Sequence, residues 1–157
     1  EQRELVAGQN VPLDESTVRV ELLAGHADLS VLLVGANGRV DRDEDFIYYN
    51  NPRSETGAVT LVGSSATVAV DRLPPRCERL VVVASTDSDS LTDADAVLRQ
   101  SGTGMDLRFR PADSVRVSAL VWGEVYSRQG RWRLRAVGQG WSDGLAGLAR
   151  DYGVNVD

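Results

Sequence analysis

Short stretches in which apolar and polar residues alternate one by one recur along most of this chain. In the stretch 17–22, Val18, Val20 and Leu22 fall on one side and polar residues on the other, which is the pattern of a strand with one buried face. A nearly continuous apolar run predicts a strand at 29–34, and aromatic and β-branched content predicts one at 46–49. Further strands are predicted at 58–62, 67–71, 79–84, 106–110, 115–126 and 131–137. Because no helices alternate with these strands, we predict a mainly all-β fold, an antiparallel two-sheet β-sandwich, with a barrel as the alternative.

Three local signals add a turn and short helices to the predicted sandwich. Asn37-Gly38 supplies the positive φ values of a hairpin turn and predicts a strand that returns after Arg39. Thr92, with a carboxylate three residues later, predicts a helical turn over 93–99. A helical period near the C-terminus places apolar side chains at Leu145, Leu148, Ala149 and Tyr152. We therefore predict one short C-terminal helix, which Gly153 is placed to end.

The inventory of reactive side chains excludes several enzyme classes. All 17 basic residues are arginine, so neither a lysine Schiff base nor a lysine-headed phosphate loop is available. Cys77 and His26 are the single cysteine and the single histidine, which excludes an intrachain disulfide and Cys/His zinc sites. His26 has no nucleophile elbow beside it, and Cys77, which nearby arginines could activate, is a lone cysteine of the kind that is more often a buried small hydrophobe. The glycines at 138–140, followed by Gly144, fit a tight strand-to-helix turn better than a nucleotide loop. We expect no enzymatic activity.

The length and the net charge of the chain limit its domain count and the kinds of partner it can bind. The 157 residues are enough for one domain, 1–157, and because the sequence does not begin with Met we expect it to be a segment of a longer protein. The formal charge of -6 and the pI near 4.8 argue against nucleic acid as a partner. No apolar run approaches the roughly 18 residues of a membrane-spanning helix. A single cysteine favours a reducing compartment, and we expect a cytoplasmic protein.

The last predicted hairpin contains the most regular charge pattern of the chain. A four-residue loop at 127–130 would place Glu124 opposite Arg133 and Trp122 opposite Arg135. Arg131, Arg133 and Arg135 would then share one face, about 6.7 Å apart along the strand. Such an arginine ladder either binds an anion or an acidic partner, or is a solvated face with a cross-strand ion pair and a Trp122–Arg135 cation–π contact.

Longer stretches of the chain resemble one known family. The C-terminal part contains GQGW at 138–141, followed by GLAGLA at 144–149 and YGVNV at 152–156. Further upstream, the chain has DEDFIYYNN at 43–51, which is similar to the family pattern D.DF.FYNN. Together with WGEVY at 122–126, these segments resemble the TerD family of tellurium-resistance and stress proteins, and the resemblance covers essentially the whole chain.

The resemblance implies a β-sandwich of two sheets with short helices, as the alternation pattern predicts, and a calcium-binding role as in the best-matched members. By position, it transfers the metal-ligand role to Asp28, Asp45 and Asn50. An acidic residue of the family pattern is replaced by His26, and the family's long acidic loop is reduced to residues 63–66. Because Ca²⁺ affinity depends on the number of charged ligands, we expect weak (millimolar) Ca²⁺ binding or none, and no other cofactor.

These features together predict a non-enzymatic TerD-like domain of a stress or tellurium-resistance system. We expect it to act in the cytoplasm as an interaction or metal-sensing module, with protein partners from a stress-response complex and without nucleic-acid binding or membrane insertion. The alternative is a β-sandwich module that binds an anion or an acidic partner through Trp122, Arg131, Arg133 and Arg135.

Overall fold

A computed structural model describes residues 1–23, 27–87, 91, 93–100, 102, 104–112, 117–141 and 143–155. In these parts of the chain the strands are β1 (Gln2–Leu5), β2 (Asn10–Pro12), β3 (Thr17–Leu22), β4 (Asp28–Val34), β5 (Phe46–Ile47), β6 (Val59–Val62), β7 (Ser65–Ala69), β8 (Arg79–Ser85), β9 (Ala96–Gln100), β10 (Asp106–Phe109), β11 (Ala119–Arg128) and β12 (Arg131–Trp141). The α-helix is α1 (Gly144–Asp151), and two 3₁₀ turns span Asp43–Asp45 and Val70–Arg72.

The strands form two sheets of six strands each. Sheet 1 has the strand order β1-β10-β9-β3-β7-β6, and sheet 2 has the order β2-β12-β11-β8-β4-β5. All these pairs are antiparallel apart from β1 and β10, which run parallel at one edge of sheet 1. The predicted two-sheet β-sandwich is therefore confirmed, with one parallel edge pair added.

Nine strands form where the sequence pattern predicts them, with ends that differ by a few residues. The pattern missed β1, β2 and β9. The first two are edge strands of four and three residues, and each has a single buried side chain, so they are too short and too exposed to show the in–out alternation that marks a half-buried strand. Of the predicted strand 115–126, residues 115 and 116 lie outside the described part of the chain.

Two local predictions are wrong. The segment predicted as a helical turn over 93–99 instead contributes β9, which pairs with β3 and β10; its predicted cap, Thr92, lies outside the described residues. The predicted turn at Asn37-Gly38 forms with a positive φ of 77° at Gly38 but not at Asn37. However, the chain after Arg39 passes through the 3₁₀ turn Asp43–Asp45 before β5 pairs with β4. In the first segment, pairing of β9 with β3, a strand distant in sequence, outweighs the local capping signal.

The main core lies between the two sheets. Val20 and Leu98 of sheet 1 pack in the same cluster as Leu80 and Leu134 of sheet 2, and all four are fully buried. Each such aliphatic side chain contributes about 1.5–3 kcal/mol when removed from water. This interior fixes which face of sheet 2 points outward.

A second core lies on the outer face of sheet 2, beneath α1. Leu148 and Ala149 of the helix pack with Val81, Val83 and Val121 of the sheet. The predicted C-terminal helix is confirmed, and it ends before Gly153, which has the positive φ of 89° that favours glycine. Within the described part of the chain, no helix has the length and apolar character needed to cross a bilayer.

We predict that Leu148→Ala lowers the free energy of unfolding by about 2–5 kcal/mol, because it leaves a cavity between α1 and sheet 2. Leu148 is fully buried. Val6→Ala is the control, since Val6 is exposed and its truncation should change stability by less than about 0.5 kcal/mol. Urea unfolding followed by circular dichroism measures both variants, and equal losses would contradict the role assigned to the second core.

Candidate functional site

The hairpin of β11 and β12 determines the geometry of the candidate site. Its turn contains two residues, Gln129 and Gly130, with φ values of 54° and 77°, as in a type I′ hairpin turn. Arg128 therefore lies opposite Arg131, and Glu124 lies opposite Arg135. The predicted four-residue loop is wrong, and the register differs by two residues. Because side chains alternate with a period of two, this shift leaves Glu124 on the predicted face but opposite a different arginine.

A β-bulge in β11 changes the position of Trp122. The register of β11 shifts between Val121 and Gly123 against both neighbouring strands, so the alternation reverses at this point. Trp122 is 1% exposed in the main core, and its Nε1 donates a hydrogen bond to the carbonyl oxygen of Phe109 at 2.8 Å. The prediction that Trp122 lies on the arginine-bearing face, opposite Arg135, is therefore wrong.

Five arginines share the outer face of sheet 2 at the end away from α1. We call this surface the arginine face: Arg79 on β8, Arg128 on β11, and Arg131, Arg133 and Arg135 on β12. Arg79 lies on the same face as the three predicted arginines because it is opposite Tyr126 in the pairing of β8 with β11. Its position depends on pairing between distant strands, which the sequence pattern does not contain. Arg128 follows directly from the corrected hairpin register.

Glu124 lies among these arginines as their acidic neighbour. Its carboxylate oxygens are 3.3 Å from Arg79 Nε and 3.7 Å from Arg135 Nη1, and its side chain is 14% exposed. The Arg135 guanidinium also lies over the ring of Tyr126, 4.6 Å from the centroid. The predicted cation–π contact of Arg135 thus exists with Tyr126 and not with Trp122. Arg133 Nε donates to Asn10 Oδ1 at 2.9 Å.

The arginine face borders a cavity of about 590 Å³. Arg79, Glu124, Tyr126 and Arg135 line one side of it. The Tyr126 hydroxyl is a buried atom without a hydrogen-bond partner in the described structure, whereas Arg79 Nε, also buried, forms its ion pair with Glu124 without the geometry of a hydrogen bond. An unpaired buried hydroxyl is costly, so this wall of the cavity has one polar group that the described chain leaves unsatisfied.

Cys77 also lines this cavity, but it is poorly suited to act as a nucleophile. Burial, which disfavours the thiolate, raises the pKa of Cys77 to about 11. At neutral pH the side chain is therefore a thiol, which donates to the carbonyl oxygen of Arg79 at 3.4 Å. His26, the other candidate considered for nucleophilic chemistry, lies outside the described residues.

The residues expected to ligate Ca²⁺ occupy different environments. Asp45 is 2% exposed in the 3₁₀ turn, and both of its carboxylate oxygens accept hydrogen bonds from Arg76 Nη2, at 3.0 and 3.1 Å. Asp28, at the start of β4, and Asn50 are both exposed. Within the described residues, no group of three His, Cys, Asp or Glu side chains is placed to hold a metal ion. Because Arg76 already neutralises Asp45, this donor set as described does not fit a calcium site.

The glycines at 138–140 lie within β12 and pair with β11. The predicted tight strand-to-helix turn lies later than these glycines, because the strand continues to Trp141 and α1 begins at Gly144, whose φ is 72°. Leu120 lies opposite Gly140, and Val121 lies opposite Gln139. The glycine pattern therefore belongs to a strand and not to a loop that could surround a phosphate.

The chain matches known proteins over most of its length. Residues 3–152 match the family model described as the TerD domain. The tellurium resistance protein TerD of Serratia marcescens is 30% identical over 155 residues, covering 82% of this chain and 78% of that protein. General stress protein 16U of Bacillus subtilis (strain 168) is 27% identical over 150 residues, with the same coverage of both chains.

Two further matches extend the comparison. Chemical-damaging agent resistance protein B of Clostridium acetobutylicum is 25% identical over 138 residues, covering 74% of this chain and 99% of that protein. A crystal structure of a TerD homologue from Streptomyces coelicolor A3(2) superposes with a TM-score of 0.66 at 18% identity, covering 85% of this chain and 95% of that one. The two-sheet fold is thus shared with a solved TerD homologue. The family model and the level of identity to TerD establish that this chain belongs to the TerD family.

Proposed function

We propose that this domain is a binding module without catalytic activity that acts in resistance to chemical stress and recognises an acidic protein partner through the arginine face. The observation that carries the proposal is the group of five arginines on a single sheet face, of which only Arg79 and Arg135 form ion pairs with the one carboxylate among them, Glu124. The chain as a whole has a formal charge of -6. A local excess of positive charge on an acidic domain is a feature that an acidic partner can recognise.

The chemistry of the arginine face supports recognition more than stability. Arg128 and Arg131 lie directly opposite each other on neighbouring strands, and like charges in that arrangement are destabilising. Both side chains are exposed, and neither has an ion pair in the described structure. Guanidinium groups bind carboxylates with two parallel hydrogen bonds. A partner's carboxylates would therefore offset a repulsion that the domain alone leaves in place.

The names of the relatives support the biological setting. They are called a tellurium resistance protein, a general stress protein and a chemical-damaging agent resistance protein. We propose a related role for this domain, in the cytoplasm, as one component of a stress-response complex. The proposal assigns the domain a binding role and no reduction of tellurite, because its lone cysteine is a buried thiol.

The first test removes two charges from the arginine face. We expect Arg133→Ser combined with Arg135→Ser to weaken binding of fluorescently labelled polyglutamate by about tenfold or more, because charge-assisted hydrogen bonds contribute about 1.5–3 kcal/mol each. The control combines Arg3→Ser with Arg53→Ser, which removes the same charge from exposed positions on other strands and turns. Fluorescence anisotropy measures both variants, and equal weakening would refute a localised site.

The second test removes the internal carboxylate. We predict that Glu124→Gln strengthens polyglutamate binding, because the neutral amide no longer competes for Arg79 and Arg135. The gain should shrink in about 1 M NaCl, where the Debye length falls to about 3 Å. Unchanged or weaker binding of this variant at low salt would show that Arg79 and Arg135 do not contact the probe. Glu78→Gln is the matched control, since Glu78 borders the same cavity without an ion pair in the described structure.

Metal sensing is the part of the expected function that the geometry favours least. We predict that several millimolar Ca²⁺ raises the melting temperature no more than Mg²⁺ does, because Arg76 already neutralises the buried Asp45. A ligand present at 100 times its dissociation constant would stabilise the fold by about 2.7 kcal/mol. A Ca²⁺-specific rise that is lost in Asp28→Asn and Asp45→Asn would overturn this prediction and restore the metal site.

A further inference from the structure

A second cavity, of about 710 Å³, lies at the other end of sheet 2. Four carboxylates are spread around its wall, on Asp28, Asp43, Asp87 and Asp143. They come from the start of β4, a 3₁₀ turn, the segment after β8 and the residue before α1. We call this the acidic cavity. Its size and the spread of its carboxylates suit several guanidinium groups of one partner.

Aromatic rings complete the acidic cavity. Tyr48 stacks on Phe46 with a centroid distance of 4.7 Å, and Tyr49 meets Tyr48 edge-on at 5.3 Å. Tyr49 is 75% exposed, and Val62, which follows a wall residue of the cavity, is 73% exposed. A tyrosine beside carboxylates is a favourable setting for a guanidinium group. The chain already contains one such arginine–tyrosine contact, on the arginine face.

The arginine face and the acidic cavity cannot meet within one molecule. Arg79 begins β8 on the arginine face, whereas Ser85 ends the same strand in the wall of the acidic cavity. Six residues of extended strand separate them, which is roughly 20 Å. Two surfaces of opposite charge at opposite ends of one sheet can make contact only between two molecules.

From this arrangement we infer that the domain associates head to tail, with the arginine face of one copy docked on the acidic cavity of the next. The inference rests on the proposed function and names a second copy of this chain as the acidic partner. The two contacting surfaces differ, so the contact is heterologous and leaves one free surface of each kind at the ends of the assembly. Such contacts build open chains, or rings where the rotation closes.

Electrostatics makes the association dependent on salt and concentration. Each copy has a formal charge of -6, so two copies repel each other at long range. Over the few ångströms of the docked contact the local charges are opposite, and at physiological salt the Debye length of about 8 Å screens the more distant ones. The positive end of the α1 dipole also lies at this cavity, but its roughly half charge is outweighed by four carboxylates.

Sedimentation velocity of the purified chain tests the inference. We expect the weight-average sedimentation coefficient to rise with protein concentration at low salt and to return to the monomer value in about 1 M NaCl. Arg133→Ser with Arg135→Ser disables one surface, and Asp28→Asn with Asp87→Asn disables the other. Each variant alone should remain monomeric. Arg3→Ser with Arg19→Ser is the control for the arginine-face variant, because it removes the same charge from exposed positions on strands of sheet 1 and should still associate.

Mixing the two disabled variants is the decisive step. Each retains one intact surface, so an equimolar mixture should form a 1:1 dimer that cannot grow further, and a misfolded variant could not complement its partner in this way. A wild-type chain that is monomeric at every concentration, association that survives in either variant, or a mixture without dimers would each overturn the inference. If the wild type is monomeric but polyglutamate still binds its arginine face, the proposed function holds and head-to-tail association is refuted. If the wild type neither associates nor binds polyglutamate, both the inference and the proposed function are refuted.

Discussion

The β-bulge at Trp122 determines how the longest hairpin of the fold uses its two faces. Without it, the alternation through β11 would place Trp122 on the outer face beside Glu124. With it, Trp122 enters the main core and bonds to Phe109 of the other sheet, while Val121 turns outward to meet α1. One strand therefore supplies a continuous inner face and an outer face that is apolar at one end and charged at the other.

Glycine makes this bulge sterically feasible. A Cβ at Gly123 would lie 2.9 Å from the carbonyl oxygen of Arg135 on the neighbouring strand, which is closer than carbon and oxygen atoms normally approach. The missing side chain therefore lets β11 and β12 stay paired through the irregular position. Glu124 follows Gly123 directly and lies opposite Arg135. The geometry of the arginine face therefore depends on Gly123, which has no side chain.

The sequence pattern predicted the sheets and the faces of sheet 2 better than it predicted register and contacts. A period of two places Arg131, Arg133 and Arg135 on one face of β12 whatever the turn length, and a register change by an even number keeps Glu124 on that face as well. The bulge breaks that period at one residue, and alternation contains no signal for it. Arg79 joins the arginine face only through pairing between β8 and β11, which are distant in sequence. β9 was missed because a capping pattern suggested a helix, whereas in the fold Asp95 pairs with Arg108.

The pair of Asp45 and Arg76 shows how a family motif can persist while its electrostatic partner differs. A carboxylate that is 2% exposed needs a positive charge beside it. A bound cation supplies that charge only when it is present, whereas Arg76 supplies it as part of the chain, through hydrogen bonds to both carboxylate oxygens. The buried end of the DEDF segment is thereby satisfied without metal. Within the described residues, the exposed carboxylates around the acidic cavity form no ion pair, and an arginine from another molecule has the charge and the shape to supply one.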